Sequence, residues 1–159
     1  MEINWQQWFK KWQLESLSIK TPFAEAEWKP KQADKDAAWD LYIELLTRIT
    51  TQRLQPEDGD EKTALESIYS IFPTSRSIIK QYGRDCFEFT KLAIIVLNQV
   101  IRPFTAKWHR ISEQGGFDDQ ATCRQFREEL ERLQFFMRCY TQALADMAGV
   151  EDLTSLEED

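Results

Sequence analysis

Along most of this chain the apolar side chains recur every three and four positions, with no alternating run bounded by hairpin turns. That pattern predicts helices and no sheet. The first helix covers about 2–17, and a Lys/Pro-rich connection follows over 19–32, where Pro22 and Pro30 cannot occupy helix interiors. A second helix runs from about Asp34 to Gln52, with Ala38, Leu41, Tyr42, Leu45 and Ile49 on one face. Asp58 and Glu61 have the spacing of a capping box and open a third helix through Leu65, Ile68, Tyr69 and Phe72, which Pro73 ends. A short helical turn over Ser75 to Tyr82 closes at Gly83.

A second capping-box spacing, Asp85 to Glu88, opens a helix over about 85–101 that is apolar around most of its circumference and therefore central. Pro103 ends that helix or kinks it into a continuation through Ile111. After Gly115-Gly116 a long helix spans about 118–148. Phe126, Leu130, Leu133, Met137, Tyr140 and Leu144 form its inward stripe, and Gly149 stops it. The prediction is an all-α, single-domain bundle of five to six helices. Its parts are an aromatic amphipathic helix over 1–18, the connection over 19–32, a bundle core over 33–149 and an acidic tail over 150–159.

Composition agrees with a packed globule: 42% of the 159 residues are hydrophobic and 13% aromatic, with five Gly and five Pro. The net charge is −7, of which the tail supplies five acids: Glu151, Asp152, Glu157, Glu158 and Asp159. The body is thus nearly neutral and lacks the cationic stripe that duplex nucleic acid requires. Cys86, Cys123 and Cys139 are widely spaced and fall in predicted helices, so they read as small buried hydrophobes. The N-terminus is no signal peptide. The longest apolar run, Leu92 to Leu97, is far too short to span a bilayer, and the chain reads as cytoplasmic.

Two places invite chemistry. The first is the stretch RPFTAKWHR, residues 102–110, which joins the central helix to the chain's sole histidine. On a helix, Phe104, Trp108 and Ile111 turn inward while Arg102, Thr105, His109 and Glu113 share another face. Pro103 also deprives carbonyls near Asn98 and Gln99 of their helical partners. Arg102, Lys107, Trp108, His109 and Arg110 then form a pocket for an anion. Arg102 is the forked donor, His109 the proton donor or acceptor, and Trp108 the apolar wall. The competing reading is that Arg102 and His109 satisfy the broken helix end or pair with acids of the last helix. The second place is the stripe of Trp5, Trp8, Phe9 and Trp12, large enough either to cover the bundle or to dock on a partner.

Other chemistry finds little support. The single His has no Glu three residues before it, as a di-iron bundle would need, and capping explains the acids near Asp60 and Glu61. There is no nucleophile elbow or phosphate loop, and a Cys–His pair of His109 with Cys86 or Cys123 depends on the fold. The charge run RQFREELER, with Arg124, Arg127, Glu128, Glu131 and Arg132, reads as a solvated face, and Phe135 with Cys139 as a secondary patch. No cofactor or metal is expected, and neither a membrane nor nucleic acid is expected as partner. The expectation is a non-enzymatic protein-interaction module, acting as a homo-oligomer or as the small subunit of a complex. The alternative is a pocket protein that binds, or hydrolyses, a small anionic ligand such as a nucleotide at 102–110.

Overall fold

The computed structural model describes residues 2–17, 19–48 and 60–157, which form one all-α domain. Its first helix, α1 (Trp5–Lys11), opens on a reciprocal cap. The Asn4 side chain accepts the Gln7 backbone N–H at 2.8 Å, and the Gln7 side chain accepts the Asn4 N–H at 2.9 Å. The next two free N–H groups, of Trp5 and Gln6, donate to the carbonyls of Ala26 and Ala24, both at 2.9 Å. The connection over 19–32 therefore completes the start of α1. The expected helix over 2–17 is divided, because Gln13 adopts a left-handed φ of 60° and a 3-10 turn follows at Leu14–Leu17.

The second helix, α2 (Gln32–Leu46), packs most extensively against the last, α7 (Gln120–Ala148), and also contacts α4 and α5. It ends at Leu46 with Thr47 as its C-cap, short of the expected Gln52, while 49–59, including the cap expected at Asp58, lie outside the described residues. Asp60 caps α3 (Glu61–Tyr69) by accepting Thr63 N at 2.6 Å, a bond that holds its carboxyl below the ordinary carboxylate range. Pro73 does not act as a stop. It falls in the first turn of α4 (Ile71–Tyr82), where no intrahelical N–H is required, and the break comes at Ser70.

The capping box expected at Asp85 and Glu88 is not formed. Gly83–Cys86 is a 3-10 turn, and α5 (Phe87–Ile95) begins after it. Its N-terminus is served from another helix. Asp34 of α2, fully buried, accepts Phe89 N at 2.9 Å through one oxygen and Lys31 N at 2.7 Å through the other. One carboxylate thus satisfies the starts of two helices, where the dipoles favour negative charge. The chain continues without a break through a π-helical segment, Val96–Ile101, into α6 (Arg102–Glu113). This rod buries Phe89, Leu92, Val96, Leu97, Val100 and Ile101, and leaves Phe87 and Ile94 at the surface.

A tight corner at Gly115-Gly116 leads into α7, which Asp119 caps and Gly149 ends in the left-handed conformation. The inward stripe of α7 is as expected, with Phe126, Leu130, Leu133, Met137, Tyr140 and Leu144 all buried. Arg127 departs from its expected solvated role, since its Nε donates to Glu61 of α3 at 2.8 Å. Among the described residues no helix is long and apolar enough to cross a membrane.

Candidate functional site

The N-terminal aromatic stripe faces inward. Trp5, Trp8 and Phe9 are buried, so the docking role expected of them has no exposed surface here; Trp12 alone is half-buried. Each indole N–H finds a carboxylate. Trp5 donates to Glu88 at 3.0 Å, while Trp8 and Trp12 both donate to Asp146 of α7, at 2.7 and 3.0 Å. Trp8 stacks on Trp28 of the connection, and Trp5 meets Phe23 edge-on. The helix over 5–11 and the connection together roof the bundle, burying large aromatic surface; the Trp28 indole N–H, unlike those of Trp5, Trp8 and Trp12, is buried without a hydrogen-bond partner.

At Pro103 the backbone widens instead of breaking. Proline lacks the N–H and would clash with the carbonyl four residues back. The π segment just before it relieves that conflict, with Arg102 N donating five residues back to Leu97. Side chains of the same segment serve neighbours. Gln99 makes a two-way bridge to the backbone of Lys20, both bonds at 2.8 Å, and Asn98 Oδ1 accepts Arg102 Nε at 3.3 Å.

The structure divides the five residues expected to form a pocket. Trp108 is fully buried among Phe104, Phe117 and Phe126, so it is a core ring and not a pocket wall. Its indole N–H has no hydrogen-bond partner. Thr105, expected on the polar face, is buried and bonds back to the Arg102 carbonyl. Lys107 is engaged by Glu129 at 2.6 Å, as the competing reading foresaw for other cations of this corner. Arg110 is exposed.

Arg102 and His109 remain, and the fold supplies them with neighbours that the sequence spacing did not reveal. The Arg102 guanidinium lies 4.8 Å from the centre of the buried Phe72 ring, and the Arg76 guanidinium lies 6.0 Å from the same ring. Tyr69, 49% exposed, sits 5.5 Å from Phe72 and 5.1 Å edge-on from His109. Arg76 and Tyr69 were missed because they belong to helices distant in sequence. The only signal was their spacing of three and four around Phe72, which the break at Ser70 disguises.

A second surface lies between α2 and α4. An open groove of about 600 Å³ is lined by Trp39, Asp40, Ile43 and Glu44 on one side and by Pro73, Thr74, Ser77, Ile78 and Gln81 on the other. Trp39 and Ile43, one helical turn apart, are 42% and 40% exposed. Asp40 accepts the Tyr82 hydroxyl at 2.7 Å, which together with burial pushes the Tyr82 pKa up to about 12. Arg48 holds Glu44 at 2.7 Å.

Among the described residues no three His, Cys, Asp or Glu side chains gather as metal ligands; Glu61, one of the acids considered for that role, receives Arg127. Burial pushes the thiols of Cys123 and Cys139 up, favouring the protonated form over a nucleophilic thiolate. Comparisons with protein-family models, curated proteins and solved structures returned no match.

Proposed function

We propose that this chain is a helical protein-interaction module, and that its α2–α4 groove receives a partner segment carrying an apolar side chain beside a cation. The supporting observation is the exposed pair Trp39 and Ile43 on the groove's rim. Large apolar side chains bordering a concave polar-rimmed surface are the usual anchors of binding energy, and Trp is prominent among them. Asp40 supplies the charge preference. Its partner is the Tyr82 hydroxyl, and among the described residues no Lys or Arg pairs with it. The cytoplasm suits three unpaired cysteines.

A photo-crosslinking residue placed at Trp39 in the full chain tests this reading. A discrete adduct is expected, carrying either a second copy or another protein, and it should be lost when Ser77→Trp fills the groove. A crosslinker at Phe135, exposed away from the groove, serves as the control. Equal adducts from Phe135, or indifference to Ser77→Trp, would overturn the proposal.

A further inference from the structure

We infer that Arg76, Arg102, Tyr69 and His109 form a binding site for the phosphate group of a small phosphorylated molecule. The site lies outside the α2–α4 groove and rests on separate observations.

Three features carry the inference. First, two guanidinium groups from different helices are held on one ring, and that ring is immobile because Phe72 is buried. Contact with that ring restricts where the two guanidiniums lie before any ligand arrives, which lowers the entropy lost on binding. Second, these charges are uncompensated. Arg102 spends one N–H on Asn98, and among the described residues no carboxylate lies within 4.0 Å of Arg76, Arg102 or His109. Two cations of α6 and α7 show the contrast, with Lys107 on Glu129 and Arg127 on Glu61.

Third, the neighbours extend the donor set beyond arginine. His109 brings ring nitrogens and Tyr69 a half-exposed phenol, linked to each other edge-on. A phosphate dianion has the oxygens to take two forked donors and a further N–H or O–H together. The open face of Tyr69 offers a stacking surface to an aromatic group attached to that phosphate.

His109 is the only histidine in the chain, so its ring signals in an NMR spectrum report the site without ambiguity. The full chain would be titrated with inorganic phosphate, with adenosine monophosphate and with adenosine. Phosphate and the nucleotide should shift the His109 signals saturably, with Kd on the order of 1 mM or tighter at low salt, and adenosine should not. Arg76→Gln and Arg102→Gln should each weaken binding about tenfold, the equivalent of about 1.4 kcal/mol. Lys107→Gln, which removes a cation already paired, should leave it nearly unchanged. Near-UV circular dichroism of each variant confirms that the fold persists. No saturable shift, equal effects of adenosine and its monophosphate, or equal losses in Lys107→Gln and Arg102→Gln would each overturn the site.

Discussion

At the scale of single residues, carboxylates organise this protein by receiving N–H and O–H groups more than by pairing with cations. Asp34 serves two helix starts, Glu88 and Asp146 take the three N-terminal indoles, and Asp40 takes the Tyr82 phenol. An unsatisfied buried donor costs about 1–3 kcal/mol, so each arrangement resists disruption. The Tyr82–Asp40 bond makes a prediction with a definite sign. Because the folded phenol holds its proton up to about 12 against an ordinary 10, the bond's stabilisation is complete below pH 10 and disappears as pH rises through about 12. Ultraviolet titration should show one tyrosine ionising near pH 12 in the parent and missing from Tyr82→Phe. A lost component near pH 10 would refute the assignment. The residue identities were visible from the start, but their partners were not, since Asp146 lies 138 positions from Trp8.

Among the elements, the continuous rod α5–π–α6 shows how a proline is absorbed. Periodicity announced both halves, and Pro103 announced a disturbance between them. Whether it would end the helix or bend it depended on the π turn at Val96–Ile101, a local widening without its own residue signature. The corner between α6 and α7 is more demanding. A Cβ at Gly116 would sit 2.3 Å from Ile111 Cγ2 and 2.8 Å from the Ile111 carbonyl oxygen. Gly116→Ala should therefore force the corner open and cost about 1–3 kcal/mol, read as a lower midpoint in urea unfolding. An unchanged midpoint would mean that the two helices are joined less tightly than the contact implies. Gly115-Gly116 was legible as a break; the reason for glycine at the second position lies in Ile111.

For the whole molecule, segments that composition set apart belong to the core. The N-terminal helix and the connection over 19–32 form a roof whose aromatic rings are shared with the bundle. The acidic tail is anchored as well. Asp152 accepts the Tyr42 hydroxyl at 3.2 Å, Leu153 N donates to that hydroxyl, and Thr154 is buried. Truncation after Val150 should therefore lower the thermal midpoint by several degrees, because Tyr42 loses these partners in the interior of α2. Were the tail only a solubilising appendage, calorimetry would show no change.

The sequence by itself determined the helical class, the inward stripe of α7, the Gly149 stop and the location of a polar corner at Pro103. Those follow from periodicity and local backbone chemistry, which act within a few residues. Tertiary structure decided what each polar group meets. It buried Trp108, paired Lys107 with Glu129, withdrew Trp5 and Trp8 from solvent, and gathered Arg76, Arg102 and Tyr69 around Phe72, with His109 edge-on to Tyr69. Hydrogen bonds and charge pairs act over a few ångströms in space, and helix packing alone brings residues from distant parts of the chain within that reach.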